Sequence, residues 1–383
     1  MADGFLLTLL RQLLGSQRMP EMTIAWQGGE PTLMGVDFFR RAVACAERFK
    51  KPGTAVRNAL QTDGTLLDDE GGEFFRQNGF LVGISLDGPR SHHDAYRVGR
   101  WGGPTFDRVM GGLECLKRHR VEFNILYAVH TANGHHPLEV YHFFRDEVAA
   151  QFLQFIPIAE RQEGDHRRSG TPRVSGRSVQ PEREGGFLIG PFDEWVRRDM
   201  GRVFVQVFDA ALANSCGVPA GMCVWSPACG LALALEHNGD LCACDHFVDP
   251  GHRLGNIQDV PLIDLVASER QVRFGRDKRD TLPRTCLACE VRLACHGECP
   301  KNRFLLTPEG EAGLNYLCAG YKAFFQHIDR PMRLMAGSCA RAGAGKRDGA
   351  PADDRSPACG VPLVRCPYSI APTIATATCV TAP

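Results

Sequence analysis

Short apolar runs alternate with amphipathic segments along the first 160 residues. Five apolar runs have the length and composition of buried strands, at residues 22–26, 56–61, 80–86, 121–130 and 152–158. Amphipathic spacing predicts one helix before the first run and one after each of the first four, at residues 3–15, 36–50, 67–78, 104–119 and 136–149. This alternation predicts an α/β fold with a parallel sheet, either open or barrel-shaped.

Glycine and polar residues follow the first four predicted strands. They occupy residues 27–32, 62–64, 87–89 and 131–134. Because the carboxyl ends of parallel strands lie at the same edge of a sheet, these segments are expected to share one rim. That rim is the expected place for chemistry.

The pattern changes after residue 160. Residues 160–190 contain six arginines among Gly, Ser and Pro: Arg161, Arg167, Arg168, Arg173, Arg177 and Arg183. This composition indicates either a solvated surface loop or a loop that closes over a substrate. Apolar spacing then predicts a core-facing helix over residues 191–213, and an Asn-Gly turn between two apolar runs predicts a β-hairpin over residues 231–244.

These patterns divide the chain into four parts. We expect an α/β unit with its Arg-rich loop at residues 1–190, a connecting helix at 191–222 and a cysteine-rich domain at 223–330. Residues 331–383 are expected to be a disordered tail, because residues 336–383 are rich in Ala, Gly, Pro and Arg without periodicity.

Charge and apolar content limit the expected surroundings of the protein. Lys and Arg number 44 together, as do Asp and Glu, so no net charge favours nucleic acid or an anionic membrane. The N-terminus lacks the basic start of a signal peptide, and Arg11 and Gln12 interrupt its apolar run. No other apolar stretch is long enough to cross a bilayer. A cytoplasmic protein with reduced thiols is therefore expected.

Nine of the chain's 16 cysteines lie within one stretch of under a hundred residues. They are Cys223, Cys229, Cys242, Cys244, Cys286, Cys289, Cys295, Cys299 and Cys318. Reduced thiols at this density favour a metal over disulfides. Only Cys286 and Cys289 have the tight spacing of a zinc ribbon, so the pattern favours iron–sulfur clusters, with zinc as the alternative. Eight thiolates serve two four-thiolate clusters and leave one cysteine over.

Residues 26–33, with the sequence Trp-Gln-Gly-Gly-Glu-Pro-Thr-Leu, resemble the Gly-Gly-Glu-Pro segment of radical S-adenosylmethionine (SAM) enzymes. Further segments are similar to those of the anaerobic sulfatase-maturating enzymes, at residues 60–62, 83–89, 93–97, 154–158 and 244–248, together with the downstream cysteines. The resemblance covers about residues 5–335. It implies a partial (β/α)6 barrel followed by a cysteine-rich domain of the SPASM type, which holds two auxiliary [4Fe–4S] clusters.

The resemblance also implies the roles of particular residues. The first auxiliary cluster would be held by Cys223, Cys229, Cys244 and Cys299, and the second by Cys286, Cys289, Cys295 and Cys318. SAM would be bound by Gly28, Gly29 and Glu30 in the loop, by Ser85 at its ribose, by Arg97 at its carboxylate and by Ile158 at its adenine. The alternatives are that Ser85 caps a helix and that Arg97 forms a surface ion pair. Cys242 is then the spare cysteine, expected to be a packed thiol.

One feature of the family is missing from this sequence. The family cleaves SAM with a third [4Fe–4S] cluster, held by Cys-x3-Cys-x2-Cys after the first barrel strand, and this chain contains no such motif. The resemblance implies that the first strand and its cysteine loop are lacking, because the start of the reading frame is misassigned or because the product is truncated. As written, the chain is expected not to cleave SAM, and the strand at residues 22–26 is expected to be an exposed edge.

The implied function is oxidation of a Cys or Ser of a sulfatase to Cα-formylglycine by radical SAM chemistry, with flavodoxin or ferredoxin as electron donor. Asp245 would be the catalytic base that takes the proton from the thiol or hydroxyl, and its alternative is a turn residue after the hairpin. A second possible function is another SPASM-type peptide modification, such as thioether formation, which residues 26–33 and the position of Asp245 argue against. A third is a non-catalytic fragment that binds iron–sulfur clusters or sulfatase peptide.

Overall fold

Six parallel strands form the centre of one ten-stranded sheet in the computed structural model, which describes residues 3–16, 18–162, 173–344 and 376–378. They are β1 (Glu21–Gln27), β2 (Ala55–Thr62), β3 (Leu81–Ser85), β4 (Glu122–Val129), β5 (Phe152–Pro157) and β6 (Phe204–Val205). The sequence predicted the first five. All six lie side by side in chain order without a reversal, which is the order of a partial barrel and not of a doubly wound sheet.

The helices between the strands follow the predicted pattern. They are α1 (Asp3–Ser16), α2 (Val36–Phe49), α3 (Asp69–Gln77), α4 (Arg90–His93), α5 (Phe106–His119) and α6 (Pro137–His142), the last continued by a π-helical turn, Phe143–Glu147. Five of the six leucines of α1 are buried because their spacing places them on one face of the helix, whereas Leu7 is exposed. Helix α3 begins where the Asp68 carboxylate accepts a hydrogen bond from the Gly71 N–H at 2.8 Å, a standard N-cap.

The prediction of one helix over residues 191–213 was wrong. Helix α7 (Pro181–Glu194) begins inside the expected Arg-rich loop and ends in a π-helical turn, Trp195–Asp199, whereas α8 (Gln206–Ser215) is a separate helix after β6. The apolar residues of both helices are buried, so their combined spacing imitated one long helix. Gly201, with φ of 81°, reverses the chain between them. Residues 163–172 of the predicted loop lie outside the described residues.

The cysteine-rich part contains short elements joined by loops. These are β7 (Ala234–Leu235), β8 (Asp240–Cys242), β9 (Arg253–Asn256), α9 (Leu262–Val266), α10 (Glu269–Asp280), α11 (Arg284–Leu287), α12 (Arg292–Cys295), β10 (Leu305–Leu306), β11 (Ala312–Leu314) and α13 (Cys318–Ala344). The predicted hairpin is present as β7 and β8, and Gly239 takes the positive φ, 96°, that its turn requires. β9 adds a third antiparallel strand that the sequence did not predict.

The prediction of a disordered tail over residues 331–383 was wrong at two places. Helix α13 continues to Ala344, because buried residues such as Met332 keep its first turns beyond residue 330 in the core. Residues Thr376–Thr378 form β12, which pairs in parallel with β1 on one side and β7 on the other. Strand β1 is therefore paired at both edges, which corrects the expectation of an exposed edge at residues 22–26. The rest of the tail lies outside the described residues.

Two close contacts connect the α/β unit to the cysteine-rich part. A Cβ on Gly320 of α13 would lie 2.0 Å from the Pro181 carbonyl oxygen of α7, so the two helices approach to backbone contact. On α1, the Gln12 amide donates to the Ile257 carbonyl at 2.9 Å and accepts from the Leu262 N–H at 2.7 Å. These contacts hold the start of α13, which carries Cys318, against the partial barrel. Among the described helices, none is both long and apolar enough to cross a membrane.

Candidate functional site

The Gly-Gly-Glu-Pro loop leaves the end of β1 and is fastened to the end of β2. Gly28 and Gly29 have φ of 93° and 56°, a left-handed conformation that glycine adopts without strain. The Glu30 carboxylate accepts four hydrogen bonds: from the Thr32 N–H (2.9 Å) and hydroxyl (2.5 Å), the Thr62 hydroxyl (2.7 Å) and the Asp63 N–H (2.7 Å). Three of these bonds end on Oε1 and one on Oε2, so Oε2 keeps an acceptor position for a ligand. The sequence predicted a contact from Glu30 to SAM and missed this role in holding the loop.

Ser85 lies at the end of β3, beside the same loop. Its hydroxyl accepts a hydrogen bond from the Gln61 side-chain amide of β2 at 3.1 Å. The alternative interpretation of Ser85 as a helix cap is wrong, since α4 starts after Pro89 and its start has no side-chain cap. The contact of Ser85 with ribose stays a prediction.

Arg97 is held by a buried carboxylate at this rim. Its Nε donates to Asp87 Oδ2 at 2.6 Å, and Asp87 Oδ1 accepts from the Ala128 N–H of β4 at 2.9 Å. Asp87 is 2% exposed, so the pair is not the surface ion pair that was considered as the alternative. Within the described residues, neither terminal nitrogen of Arg97 has a hydrogen-bond partner. Half of the guanidinium fork is therefore available to a carboxylate ligand.

His93 holds this segment through two hydrogen bonds of its ring. Its ring lies between the Asp87 N–H, which donates to Nδ1 at 3.2 Å, and the Thr105 hydroxyl, 3.0 Å from Nε2. Burial lowers the pKa of His93 to about 4, so the ring is neutral and can accept from Asp87. The sequence named the segment at residues 93–97 but did not assign these supporting roles to Asp87 or His93.

Ile158 directly follows β5 at the same edge of the sheet. Its N–H donates to the Val129 carbonyl at 2.8 Å, and its carbonyl accepts from the Val179 N–H at 2.9 Å. The side chain is half-buried. The structure thus places all the residues predicted to bind SAM after β1, β3 and β5, on one rim.

The first predicted set of cysteines comes together from four separate segments. Cys223 begins a 3-10 turn, Cys229 donates its N–H to the Gly275 carbonyl at 3.1 Å, Cys244 follows β8, and Cys299 follows α12. Burial, with smaller contributions from the nearby Glu298 carboxylate and the Cys223 thiol, raises the pKa of Cys299 to about 12. Burial also raises the pKa of Cys244, with a smaller contribution from Cys299. It raises the pKa of Cys223 in the same way, with a smaller contribution from Cys229. These mutual effects connect the four thiols of this set.

The second set is assembled at helix ends. Cys286 lies on α11, Cys289 after it, Cys295 at the end of α12 and Cys318 at the start of α13. Burial raises the pKa of Cys295 to about 12, with smaller contributions from Glu298, Cys318 and Cys286. Burial raises the pKa of Cys318 to about 11, and the Cys286 and Cys289 thiols add to this effect.

The donor chemistry of both sets fits a [4Fe–4S] cluster, which takes four thiolates. Of the eight thiols, only Cys244 and Cys299 are buried, and thiols whose pKa values are raised in this way ionise readily only when a metal compensates their charge. Cys242 lies apart from both sets, because burial and the carboxylates of Glu236, Asp240 and Asp249 dominate its surroundings. The other described thiols outside the two sets, Cys45, Cys115 and Cys216, lie on α2, on α5 and at the end of α8. They do not form a third set, so no step through a SAM-cleaving cluster is derived for this chain.

Asp245 touches a member of the first set. The Cys244 thiol donates to Asp245 Oδ1 at 3.1 Å, and His246 Nδ1 lies 3.3 Å from the Cys299 sulfur. Asp245 is partly exposed, so its carboxylate is open to a ligand on its free side. A half-exposed carboxylate against a thiol ligand can accept a proton next to a site that accepts an electron.

Three charged residues near the cysteines were not predicted from the sequence. They are Lys278 and Glu298, which are buried, and Arg303, which is partly buried. Glu298 and Arg303 are close in sequence to Cys299, and this proximity was the only available signal. Lys278 lies in a very polar helix, and its sequence position gives no indication of burial.

Comparison with known proteins places the chain in a family. A family model described as an iron–sulfur cluster-binding domain, SPASM, matches residues 225–290. The chain is 43% identical over 343 residues to the serine-type anaerobic sulfatase-maturating enzyme of Bacteroides thetaiotaomicron, covering 88% of this chain and 82% of that protein. It is 30% identical over 333 residues to the cysteine-type enzyme of Clostridium perfringens, covering 85% and 86%.

Solved structures agree with this placement. The structure described as native anSMEcpe with bound AdoMet and Cp18Cys peptide superposes with a TM-score of 0.79 at 30% identity, covering 88% of this chain and 92% of that one. Streptococcus suis SuiB bound to S-adenosylmethionine, at 14% identity and a TM-score of 0.56, shares the fold. The sequence resemblance is thus confirmed, and the chain belongs to the anaerobic sulfatase-maturating enzymes.

Proposed function

We propose that this chain carries the SAM-binding and electron-accepting parts of sulfatase maturation, the oxidation of a Ser or Cys side chain to Cα-formylglycine. The observation that carries the proposal is the grouping of eight cysteines into two four-thiol sets, with the Asp245 carboxylate against a member of the first. Oxidation of a seryl CH2–OH to an aldehyde removes a Cβ hydrogen, the hydroxyl proton and an electron. The two clusters, when bound, supply the electron acceptor.

The chain's own residues have separable roles in this proposal. The Gly28–Gly29 backbone and the free nitrogens of Arg97 hold the amino-acid end of SAM, while Glu30 keeps the loop in position. Ser85 contacts the ribose and Ile158 covers the adenine. Asp245 takes the proton of the substrate hydroxyl or thiol.

The radical itself needs thiolates that this sequence does not contain. The chain as written is expected not to cleave SAM, so formylglycine formation is to be tested after the family's Cys-x3-Cys-x2-Cys segment has been joined ahead of it. Both seryl and cysteinyl peptides belong in that assay. The serine-type relatives are 34% to 43% identical to this chain and the cysteine-type ones 30% to 31%, which favours the seryl peptide.

We further propose flavodoxin or ferredoxin as the electron donor, and the cytoplasm as the location. Both follow from the two cluster sites, since cluster assembly needs reduced thiols and cluster chemistry needs a low-potential partner.

Replacing Arg97 by lysine is expected to weaken SAM binding about tenfold or more. Lysine keeps a positive charge beside Asp87 but loses the planar fork, and hydrogen bonds to a charged group contribute about 1.5–3 kcal/mol each. The measurement is isothermal titration of SAM into the anaerobically reconstituted protein. Arg100→Lys is the matched control, because Arg100 is exposed and packs over Trp101. Equal affinities for the Arg97→Lys variant and the unmodified protein would show that Arg97 does not bind SAM.

A further inference from the structure

Lys278 is a buried cation without a carboxylate partner. Its side chain lies on α10 with 1% of the residue exposed, and its ammonium donates to the backbone carbonyl oxygens of Cys223 and Val224, the latter at 2.9 Å. In the described part of the chain, no carboxylate forms an ion pair with it. Because burying an unpaired charge is costly, an anion is expected close to this ammonium.

Glu298 is a carboxylate that acts electrostatically on Lys278, but its hydrogen bonds go elsewhere. It is 4% exposed, and one of its oxygens accepts from the amides of Asn302 at 3.1 Å and Asn315 at 2.6 Å. The other acidic groups that act on Lys278 are the Cys223 and Cys229 thiols of the first cysteine set, which become anions when they bind iron. Burial lowers the pKa of Lys278, and the Cys223 and Cys229 thiolates act in the opposite direction.

Arg303, a second cation near the cysteines, holds the backbone between Cys295 and Cys299. Its guanidinium donates only to backbone carbonyls: Gly297 (2.8 Å), His296 (2.9 Å), Glu298 (3.0 Å) and Lys278 (2.5 Å). His296, Gly297 and Glu298 have φ of 49°, 72° and 53°, a strained left-handed run for the two non-glycine residues. This run joins Cys295 of one set to Cys299 of the other. Arg303 therefore fixes the shape of that connection and acts electrostatically on thiols of both sets, whereas Lys278 acts on Cys223 and Cys229 of the first set.

We propose that Lys278 is the charge-compensating residue of the first cysteine set, and that its ammonium raises the reduction potential of the cluster bound by Cys223, Cys229, Cys244 and Cys299. The inference rests on the proposed function, since it assumes that this set holds a [4Fe–4S] cluster. Reduction adds a negative charge, and a fixed cation in a low-dielectric interior stabilises the reduced form more than the oxidised form. The Asp245 carboxylate, against Cys244, acts in the opposite direction and is unchanged in the test below.

The test compares Lys278→Gln with the unmodified protein after anaerobic reconstitution. Glutamine removes the charge but keeps an N–H2 group that can donate to the Cys223 and Val224 carbonyls. Iron per protein should stay at the unmodified level. An EPR-monitored redox titration should show that the reduction potential of one cluster is lower than in the unmodified protein. The expected change is at least tenfold in the reduction equilibrium constant, which is about 59 mV for one electron. The potential of the other cluster should not change.

Two variants make the result specific to buried charge. Lys278→Arg keeps the cation and should keep the unmodified potential. Lys301→Gln removes an exposed cation two residues from Cys299, where solvent screens it, and should leave both potentials unchanged.

Unshifted potentials in Lys278→Gln with full iron content would overturn the inference and leave the proposed function intact. Loss of about half the iron with an unchanged circular dichroism spectrum would also overturn it, since Lys278 would then hold the ligand segment instead of tuning the cluster. If Lys278→Gln does not fold, the same titration on Lys278→Met decides between these results. Absence of iron from the unmodified protein would overturn the proposed function, and this inference with it.

Discussion

Replacing Cys318 by alanine is expected to remove about half of the iron from the anaerobically reconstituted protein. The unmodified chain should bind about eight irons as two four-iron clusters. Cys318 starts α13 and lies with Cys286, Cys289 and Cys295, so its loss should release the second cluster and leave the first. Iron and protein quantified on the same sample provide the measurement.

Cys242→Ala is the matched control for this experiment. Cys242 is buried, at 3% exposure, and lies in the same part of the chain, but neither predicted set includes it. Its replacement should leave the iron content unchanged. One or two zinc ions per chain with no iron chromophore would contradict the assignment of both sets, and loss of all iron from Cys318→Ala would show that the sites do not load independently.

Asp245→Asn is expected to abolish most formylglycine formation while SAM cleavage survives. The experiment requires the chain joined to the family's Cys-x3-Cys-x2-Cys segment. Asparagine keeps the shape of the side chain but cannot accept the proton, and loss of a general base typically costs about 10² to 10⁴ in rate. Hydrogen abstraction precedes the proton transfer, so 5′-deoxyadenosine should still form. Both products are to be measured with the same peptide.

The two measured products separate the possible roles of Asp245. If both products fall together with the iron content, the carboxylate serves the structure around Cys244, whose thiol it accepts from at 3.1 Å. If neither falls, the proton goes elsewhere, and His246 is the next candidate because its ring lies 3.3 Å from the Cys299 sulfur. His246→Gln, in the same assay, would then test that candidate.

Much of the fold was accessible from sequence because its signals are local. The period of apolar residues specified β1 to β5, the helix before β1 and the helices after β1 to β4, and the Asn-Gly turn specified the hairpin. The same periodicity gave a wrong prediction for α7 and α8. Their apolar spacing is continuous, so the pattern predicted one helix and did not show the break at Gly201. Strand β6, with only two residues, is too short to leave a pattern.

For the site, too, the sequence identified residues that lie in linear motifs but not their contacts. The order of the cysteines and the Gly-Gly-Glu-Pro segment are linear motifs, so the candidate ligands could be named from sequence. Glu30 was expected to face SAM, which stays a prediction, and the sequence did not show that it also accepts four bonds from its own chain. A linear motif specifies which residue is present and does not specify which partners reach it.

The sequence by itself determined the βα alternation and the residues at the strand ends, because each depends on neighbours in the chain or on spacing. The two sets of cysteines were implied by resemblance to the family and stay a prediction. Only the tertiary structure decided the partners of charged groups and of the last strand. Arg97 is held by buried Asp87, and the buried Lys278 ammonium donates to backbone carbonyls. Residues Thr376–Thr378 pair with β1. The energies of these contacts depend on burial and on distances between residues far apart in the chain, and a linear pattern carries neither.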